Sequence, residues 1–162
     1  MPVLSFSRWA VAPVLAIALG AALAACSMGG GGAATSIALA PGLSARMDQP
    51  NASLDRAQAI GIVNSYRATR GIAALTPDTG LDGTAQALVN QYAATGIAPK
   101  TPAGLTMKLS AGYASFAETF SGWRNNPADA AGMTANAAKA GVAVAFNASS
   151  SYGVYWVLVL GN

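Results

Sequence analysis

The sequence predicts an α+β domain in which helices come first and an antiparallel pair of strands comes last. Apolar residues recur at helical spacing in two segments after residue 53. A third segment begins with Ser115-Phe116-Ala117-Glu118, which has the spacing of a helix capping box. Near the C-terminus the pattern changes to alternation and then to a continuous apolar run, as expected of paired strands. Helical segments followed by strands are typical of the α+β class.

The first helix is predicted over residues 54–70. Ser53 is the expected N-cap, and Gly71 is the expected C′ residue, where the left-handed conformation favours glycine. Gly61 in the middle of the helix costs about 1 kcal/mol relative to alanine, so we expect another element to approach it closely. The expected buried face has i, i+3, i+4, i+7 spacing and consists of Ala59, Ile62, Val63 and Tyr66.

A second helix and a strand are predicted in the middle of the chain. Thr76-Pro77-Asp78 is an expected turn that opens a helix over residues 79–95, and Gly96 ends this helix. The loop after it contains Pro99, Pro102 and Gly104. Residues 105–112 are a candidate strand.

The capping-box segment predicts a third helix that ends by Asn126, because Pro127 disfavours helical geometry in the residue before it. An alanine-rich fourth helix is expected over residues 128–138. Two strands, over residues 141–147 and 152–160, are close enough to form a hairpin. The aromatic side chains that we expect in the core are Phe116, Phe120, Trp123 and Trp156.

Residues 1–25 resemble a secretory signal of the lipoprotein type. Arg8 precedes an apolar stretch that is short for a membrane span. Leu23-Ala24-Ala25-Cys26 resembles the bacterial lipobox, in which the cysteine thiol is acylated and becomes the new N-terminus. We therefore expect lipidation at Cys26, a flexible tether over residues 26–50 and a folded domain over residues 51–162. Ser27 is typical of proteins routed to the outer membrane.

Composition excludes several function classes. Only 9% of the 162 residues are charged, against roughly 25% in a typical soluble domain. The absence of histidine excludes catalytic triads and zinc sites that use imidazole, and a single cysteine excludes a disulfide within the chain. The net charge of +3 comes from scattered groups, whereas a nucleic-acid interface needs clustered lysine and arginine. We therefore expect no nucleic-acid partner and no cofactor.

The order of several segments resembles the bacterial branch of the CAP superfamily (SCP-like domains; cysteine-rich secretory, antigen 5 and pathogenesis-related 1 proteins). Val-Asn-Ser-Tyr-Arg at 63–67 resembles the family's opening N-x-Y-R segment, and Gly-Trp-Arg-Asn-Asn-Pro at 122–127 resembles its G-W-x-x-S-P segment. Residues 141–144 and 155–161 resemble its C-terminal strands. The resemblance covers about residues 54–161 and implies a three-layer α-β-α sandwich with a cleft on one face.

The cleft of this family usually carries two histidines and one or more acidic residues, which bind a divalent cation in some members. This chain departs from that pattern at three matched positions: Lys100 and Asp129 replace the histidines, and Met107 replaces a glutamate. The resemblance therefore implies a degenerate cleft without a metal site. Its expected rim consists of Tyr113, Trp123 and Asn126.

The polar residues near this cleft have alternative roles. Asp129 is expected at position N3 of the short helix after Asn126, or in an ion pair with Lys100 across the cleft. Glu118 is either a capping-box residue or a general acid. Ser110, with Lys100 or Lys108 as its base, is a conceivable nucleophile, but nothing else marks an oxyanion hole.

The sequence thus predicts a non-enzymatic lipoprotein of the bacterial outer membrane, attached through its lipid anchor, whose CAP-like domain binds a lipid or protein ligand in the envelope. The first alternative is a carrier or sensor of an apolar ligand, because Met107 makes the cleft less polar. The second alternative is a divergent envelope hydrolase.

Overall fold

The computed structural model describes residues 40–162 of the chain. The predicted signal peptide, Cys26 and most of the predicted tether lie outside the described residues. Among the described residues, no helix is both long and apolar enough to span a membrane.

Five helices and four strands make up the described part of the chain. The helices are α1 (Pro41–Ser44), α2 (Arg56–Thr69), α3 (Thr79–Thr95), α4 (Phe116–Asn125) and α5 (Pro127–Met133). The strands are β1 (Thr76–Pro77), β2 (Thr106–Ala111), β3 (Lys139–Phe146) and β4 (Val154–Gly161). The sheet order is β1-β3-β4-β2, with β1 parallel to β3 and the other pairs antiparallel.

The sheet is the middle layer of a three-layer α-β-α sandwich, which confirms the predicted fold class. Every residue of β4 is buried, and its side chains alternate between two apolar clusters, as the pleat of a strand requires. Tyr155, Val157 and Val159 pack with α3 on one face. Trp156 and Leu158 pack with α2, α4 and α5 on the other face.

Two glycines show how closely α3 packs on the sheet and how little packs on the middle of α2. A Cβ at Gly141 in β3 would overlap the backbone of Leu81 and Asp82, so only glycine permits this approach of α3. The carboxylate of Asp82 accepts a hydrogen bond from the amide of Val142 at 3.0 Å beside this contact. The prediction of a close approach at Gly61 is wrong, because Gly61 is exposed and a Cβ at this position would meet no atom within 4 Å.

The capping residues and glycines in the sequence predicted most of the observed helix ends correctly. Gly71 and Gly96 both have the left-handed backbone conformation, with φ of 69°. Ser115 and Glu118 form the predicted capping box of α4. The prediction of Ser53 as the cap of α2 is wrong: the N-cap is Asp55, whose carboxylate accepts from the amide of Gln58 at 2.9 Å.

Three segments differ from the sequence-based expectation because of contacts distant in sequence. Thr76 and Pro77 form the edge strand β1 in addition to opening α3, with Thr76 donating its amide to the carbonyl of Ala138. The helix expected over residues 128–138 ends at Met133. Residues 40–50, assigned to the tether, include α1 and two core side chains, Leu43 and Met47.

Arg67 explains the early end of α5. Its side chain is buried, and its guanidinium donates hydrogen bonds to four backbone carbonyls, those of Ala73, Met133, Ala135 and Ala137, at 2.8–3.3 Å. The bonds to Met133, Ala135 and Ala137 hold the chain after α5 outside the helix as it runs into β3. Burial lowers the pKa of this guanidinium below its ordinary value.

Candidate functional site

The polar pair at the predicted cleft is formed by Lys108 and Asp129. Lys108 lies on β2, and its ammonium nitrogen lies 3.1 Å from Oδ1 of Asp129 at the start of α5. The same ammonium donates to the carbonyl of Ala128 at 3.3 Å, and a Cβ at Gly132 would overlap the lysine stem. Both charged side chains are largely shielded, at 14% and 28% exposure. The pair therefore fastens the edge strand β2 to α5.

Asp129 also has the helical role that the sequence predicts. Asn126 caps α5 by accepting from the amides of Ala128 and Asp129 at 3.0 and 3.2 Å. This cap places Asp129 in the first turn of α5, where the helix dipole favours a carboxylate. The alternative expectation of an ion pair with Lys100 is wrong, because Lys108 is the partner of Asp129 and Lys100 is exposed in the loop after α3.

The three matched cleft positions do not converge. Met107 packs with the apolar cluster between α3 and the sheet. Lys108, the next residue of the strand, reaches α5 on the opposite face, because successive side chains of a strand point to opposite faces. Met107 and Asp129 are therefore separated by the sheet, and the expectation that they share one cleft with Lys100 is not met.

Two of the three expected rim residues have structural roles. Trp123 is buried at 2% exposure, and its indole nitrogen donates to the carbonyl of Leu109 at 2.9 Å. Asn126 caps α5, as described above. Tyr113 is 41% exposed, with its ring against Gly122 of α4, where a Cβ would lie 2.9 Å from the ring.

The residues considered for catalysis are also engaged elsewhere. The carboxylate of Glu118 accepts from the amides of Ala114 and Ser115, both at 3.0 Å, as a capping residue does. The ammonium of Lys108 is paired with Asp129 and is therefore not free to act as the base for Ser110. Within residues 40–162, no three acidic or cysteine side chains lie together as a metal site would require.

A groove between α2 and α4 has a volume of about 530 Å³. Ile62, Tyr66 and Phe120 supply apolar surface, and the rings of Tyr66 and Phe120 meet edge to face at 6.1 Å. Arg70 and Arg124 add two cations, and none of the described lining residues is acidic. A second pocket of about 450 Å³ shares Tyr66 and Arg70 and extends toward α5.

Tyr66 connects the apolar and the charged parts of this groove. The guanidinium of Arg70 lies over its ring at 5.3 Å, and Nη2 of Arg70 donates to its hydroxyl at 3.3 Å. The sequence-based prediction missed this groove, although Ile62, Tyr66 and Arg70 follow each other at helical i+4 spacing, as do Phe120 and Arg124. Which helices would face each other was not evident from this spacing.

Comparison with known proteins identifies the family. The model of the Cysteine-rich secretory protein family (CAP) matches residues 60–160, and the chain belongs to this family. Two solved structures are similar to part of the chain. The first is MpPR-1i, which is 19% identical with a TM-score of 0.47; the match covers 64% of this chain and 82% of that one. The second is an outer surface protein from Borrelia burgdorferi, which is 14% identical with a TM-score of 0.48; the match covers 64% of this chain and 88% of that one. No curated protein matches the chain significantly.

Proposed function

We propose that the chain is a lipoprotein of the bacterial cell envelope whose CAP domain binds an amphiphilic ligand and catalyses no reaction. The lipobox-like segment that ends at Cys26 supports the anchoring part of this proposal. The groove between α2 and α4 supports the binding part. The ligand that fits the groove best has an apolar chain and an anionic group, as a fatty acid or an acidic lipid has.

The chemistry of the groove carries this assignment. Its apolar surface can receive a hydrocarbon chain, since burying one methylene group contributes about 0.8 kcal/mol. The guanidinium groups of Arg70 and Arg124 supply donors that suit a carboxylate or a phosphate. The volume of about 530 Å³ lies within the usual range of ligand sites.

The engagement of the ionisable groups supports a binding role over catalysis. A general acid or base must reach the reacting atoms. Glu118 bonds to the amides of its own helix end, and Asp129 and Lys108 bond to each other. The groove itself presents arginines, which stay protonated and therefore serve poorly as proton-transfer groups.

Binding can be tested with oleate as the probe and oleyl alcohol as its uncharged control. We expect saturable binding of oleate to the full chain, weakened about tenfold by Arg70→Gln or Arg124→Gln, because each substitution removes one charge-assisted hydrogen bond. Lys100→Gln, which removes an exposed cation outside the groove, is the matched control. Oleate binding that is absent, or that all three variants weaken equally, would contradict the assignment of the groove.

Anchoring requires a separate experiment. Mass spectrometry of the protein from bacterial membranes should find an acylated N-terminal cysteine at residue 26, and Cys26→Ser should release the protein from the membrane fraction. An unmodified Cys26 in a membrane-free protein would refute the anchor without affecting the groove.

A further inference from the structure

A third concave site lies at the end of α3, against the connection between β3 and β4. Its volume is about 400 Å³. Its polar lining consists of Thr95, Asn147, Ser149, Ser150, Ser151 and Tyr152. No residue is shared between this pocket and the groove between α2 and α4. The pocket therefore can be occupied independently of that groove.

The wall of the pocket is braced by its own hydrogen bonds. The side-chain amide of Asn147 donates to the carbonyl of Ala93 at 2.7 Å, and its oxygen accepts from the amide of Ser149 at 3.0 Å. The hydroxyl of Ser150 donates to the carbonyl of Asn147 at 2.8 Å and accepts from the amide of Gly153 at 3.1 Å. The bond to Ala93 fixes the loop to α3 and the other three hold the loop in shape, so the pocket is formed before a ligand arrives and less ordering entropy opposes binding.

Tyr152 provides an aromatic surface beside these polar groups. Tyr152 is 58% exposed, so much of its ring can be reached from solvent. The ring packs perpendicular to that of buried Tyr155, with centroids 6.2 Å apart, and Tyr155 in turn packs against Tyr92 at 4.8 Å. This support on one side orients the ring and leaves the rest of it accessible.

The lining carries no formal charge. None of the described lining residues is lysine, arginine, aspartate or glutamate, and the polar groups are hydroxyls and one side-chain amide. A charged ligand would lose its hydration here without a counter-charge in return, whereas a polyol exchanges hydrogen bonds with hydroxyls. A sugar ring also has a face of C–H groups that can stack on an aromatic ring.

We propose that this pocket binds a neutral saccharide, with one sugar ring stacked on Tyr152. Thr95, Asn147 and Ser150 already bond within the protein, so the groups that would bond the sugar hydroxyls are the hydroxyls of Ser149, Ser151 and Tyr152. A volume of about 400 Å³ lies at the lower end of the range for ligand sites, which favours a short glycan or a chain end over the middle of a long chain.

Saturation-transfer NMR on the full chain tests this proposal with three neutral probes: methyl β-glucoside, maltose and N,N′-diacetylchitobiose. We expect transfer from the protein to the C–H protons of at least one probe. Tyr152→Ala should weaken the binding of that probe about tenfold, and Tyr152→Trp should preserve it because the stacking surface remains.

Tyr113→Ala is the matched control, because Tyr113 is the other exposed tyrosine among residues 40–162 and its ring lies on α4 instead of in this pocket. Tyr152→Ala is expected to unfold at the same temperature as the unsubstituted protein, since the removed ring is mostly in solvent. No transfer to any of the three sugars, or equal weakening by Tyr113→Ala and Tyr152→Ala, would overturn the proposal. Arg70→Gln should leave sugar binding unchanged, which separates this result from the oleate experiment.

Discussion

Replacement of Arg67 by lysine tests whether one buried cation holds the end of α2 to the segment that precedes β3. The guanidinium has five N–H donors in a planar fork and bonds to four carbonyls that lie in different directions. A lysine ammonium keeps the charge but has three donors around one nitrogen, so it cannot reach all four carbonyls. Arg67→Met removes every donor and leaves the carbonyls in place.

The expected cost follows from the number of lost hydrogen bonds. Hydrogen bonds to charged groups contribute about 1.5–3 kcal/mol each, so a lysine that preserves half of them should destabilise the domain by about 3 kcal/mol. Arg67→Met loses all four bonds and should cost about 6 kcal/mol on the same lower figure, because buried acceptors remain without donors. These are large fractions of a typical unfolding free energy of about 5–15 kcal/mol.

Urea unfolding followed by tryptophan fluorescence measures this cost, since Trp123 and Trp156 are both buried. The midpoint should fall by about 1–3 M for Arg67→Lys if the slope of unfolding is unchanged. Arg70→Lys is the control: Arg70 is exposed, and its substitution should change the unfolding free energy by less than about 0.5 kcal/mol.

A cost below about 1 kcal/mol for Arg67→Lys, or equal costs for the lysine variants at residues 67 and 70, would refute this reasoning. Either result would mean that water or a backbone shift satisfies the carbonyls once the guanidinium is gone. An Arg67→Met variant as stable as the unsubstituted protein would mean that apolar packing, and not the hydrogen bonds, fixes this segment.

Three further predictions follow from close contacts and from one shifted pKa. Gly141→Ala should destabilise the domain by about 2–3 kcal/mol in urea unfolding because α3 must move. Gly61→Ala should stabilise it by about 0.5–1 kcal/mol, because alanine favours the helix and meets no neighbour there. Equal effects of the two substitutions would contradict the packing argument. A double-mutant cycle on Lys108 and Asp129, each changed to alanine, should give a coupling of about 1 kcal/mol in thermal unfolding, and a coupling of zero would show that the pair fastens nothing. Burial, with smaller contributions from two neighbouring tyrosines, raises the pKa of Tyr92, so the folded state holds this proton more firmly than the unfolded state. The stability it contributes is present below pH of about 10 and is lost as pH rises through the folded-state pKa. Tyr92→Phe should therefore flatten the alkaline loss of stability in unfolding curves measured between about pH 9 and pH 11, and an unchanged pH profile would count against this explanation.

The parts of the fold that sequence predicts best are those determined by neighbouring residues. Gly96 ends α3 because its own backbone adopts a left-handed conformation, and the capping box at Ser115 lies within four residues. The burial of β4 follows from its continuous run of apolar side chains. In each case the residues that determine the feature lie within or directly beside the helix or strand concerned.

The parts that sequence missed depend on contacts between distant segments. Leu43 and Met47 join a core cluster made of residues distant in sequence, and the amide of Met47 donates to the carbonyl of Ala114 at 2.7 Å. In the sequence, Arg67 is only the last residue of a segment that resembles a family motif. Its four carbonyl partners lie up to 70 positions away. Hydrophobic periodicity carries no information about such partners.

The prediction of the cleft was wrong for a related reason. A match of single positions to a family pattern placed Lys100, Met107 and Asp129 around one site without regard to the direction of each side chain. The antiparallel pairing of β2 with β4 decides that direction, since Lys108 faces Leu158 and Met107 faces Val159 across the pair. A shift of one residue along a strand moves a side chain to the other face of the sheet.

The two faces of β2 therefore have different surroundings, an apolar core on one side and a largely shielded ion pair on the other. On the α3 face, Met107 fills the core with other apolar side chains, where an unpaired carboxylate would be costly. On the α5 face, Lys108 can be buried beside an edge strand because Asp129 is fixed opposite it by the cap of α5. Lysine on an edge strand also discourages pairing with another chain. The ion pair thus joins the sheet to α5 where the resemblance implied a degenerate cleft, and two concave surfaces that could hold ligands lie beside α2 and at the end of α3.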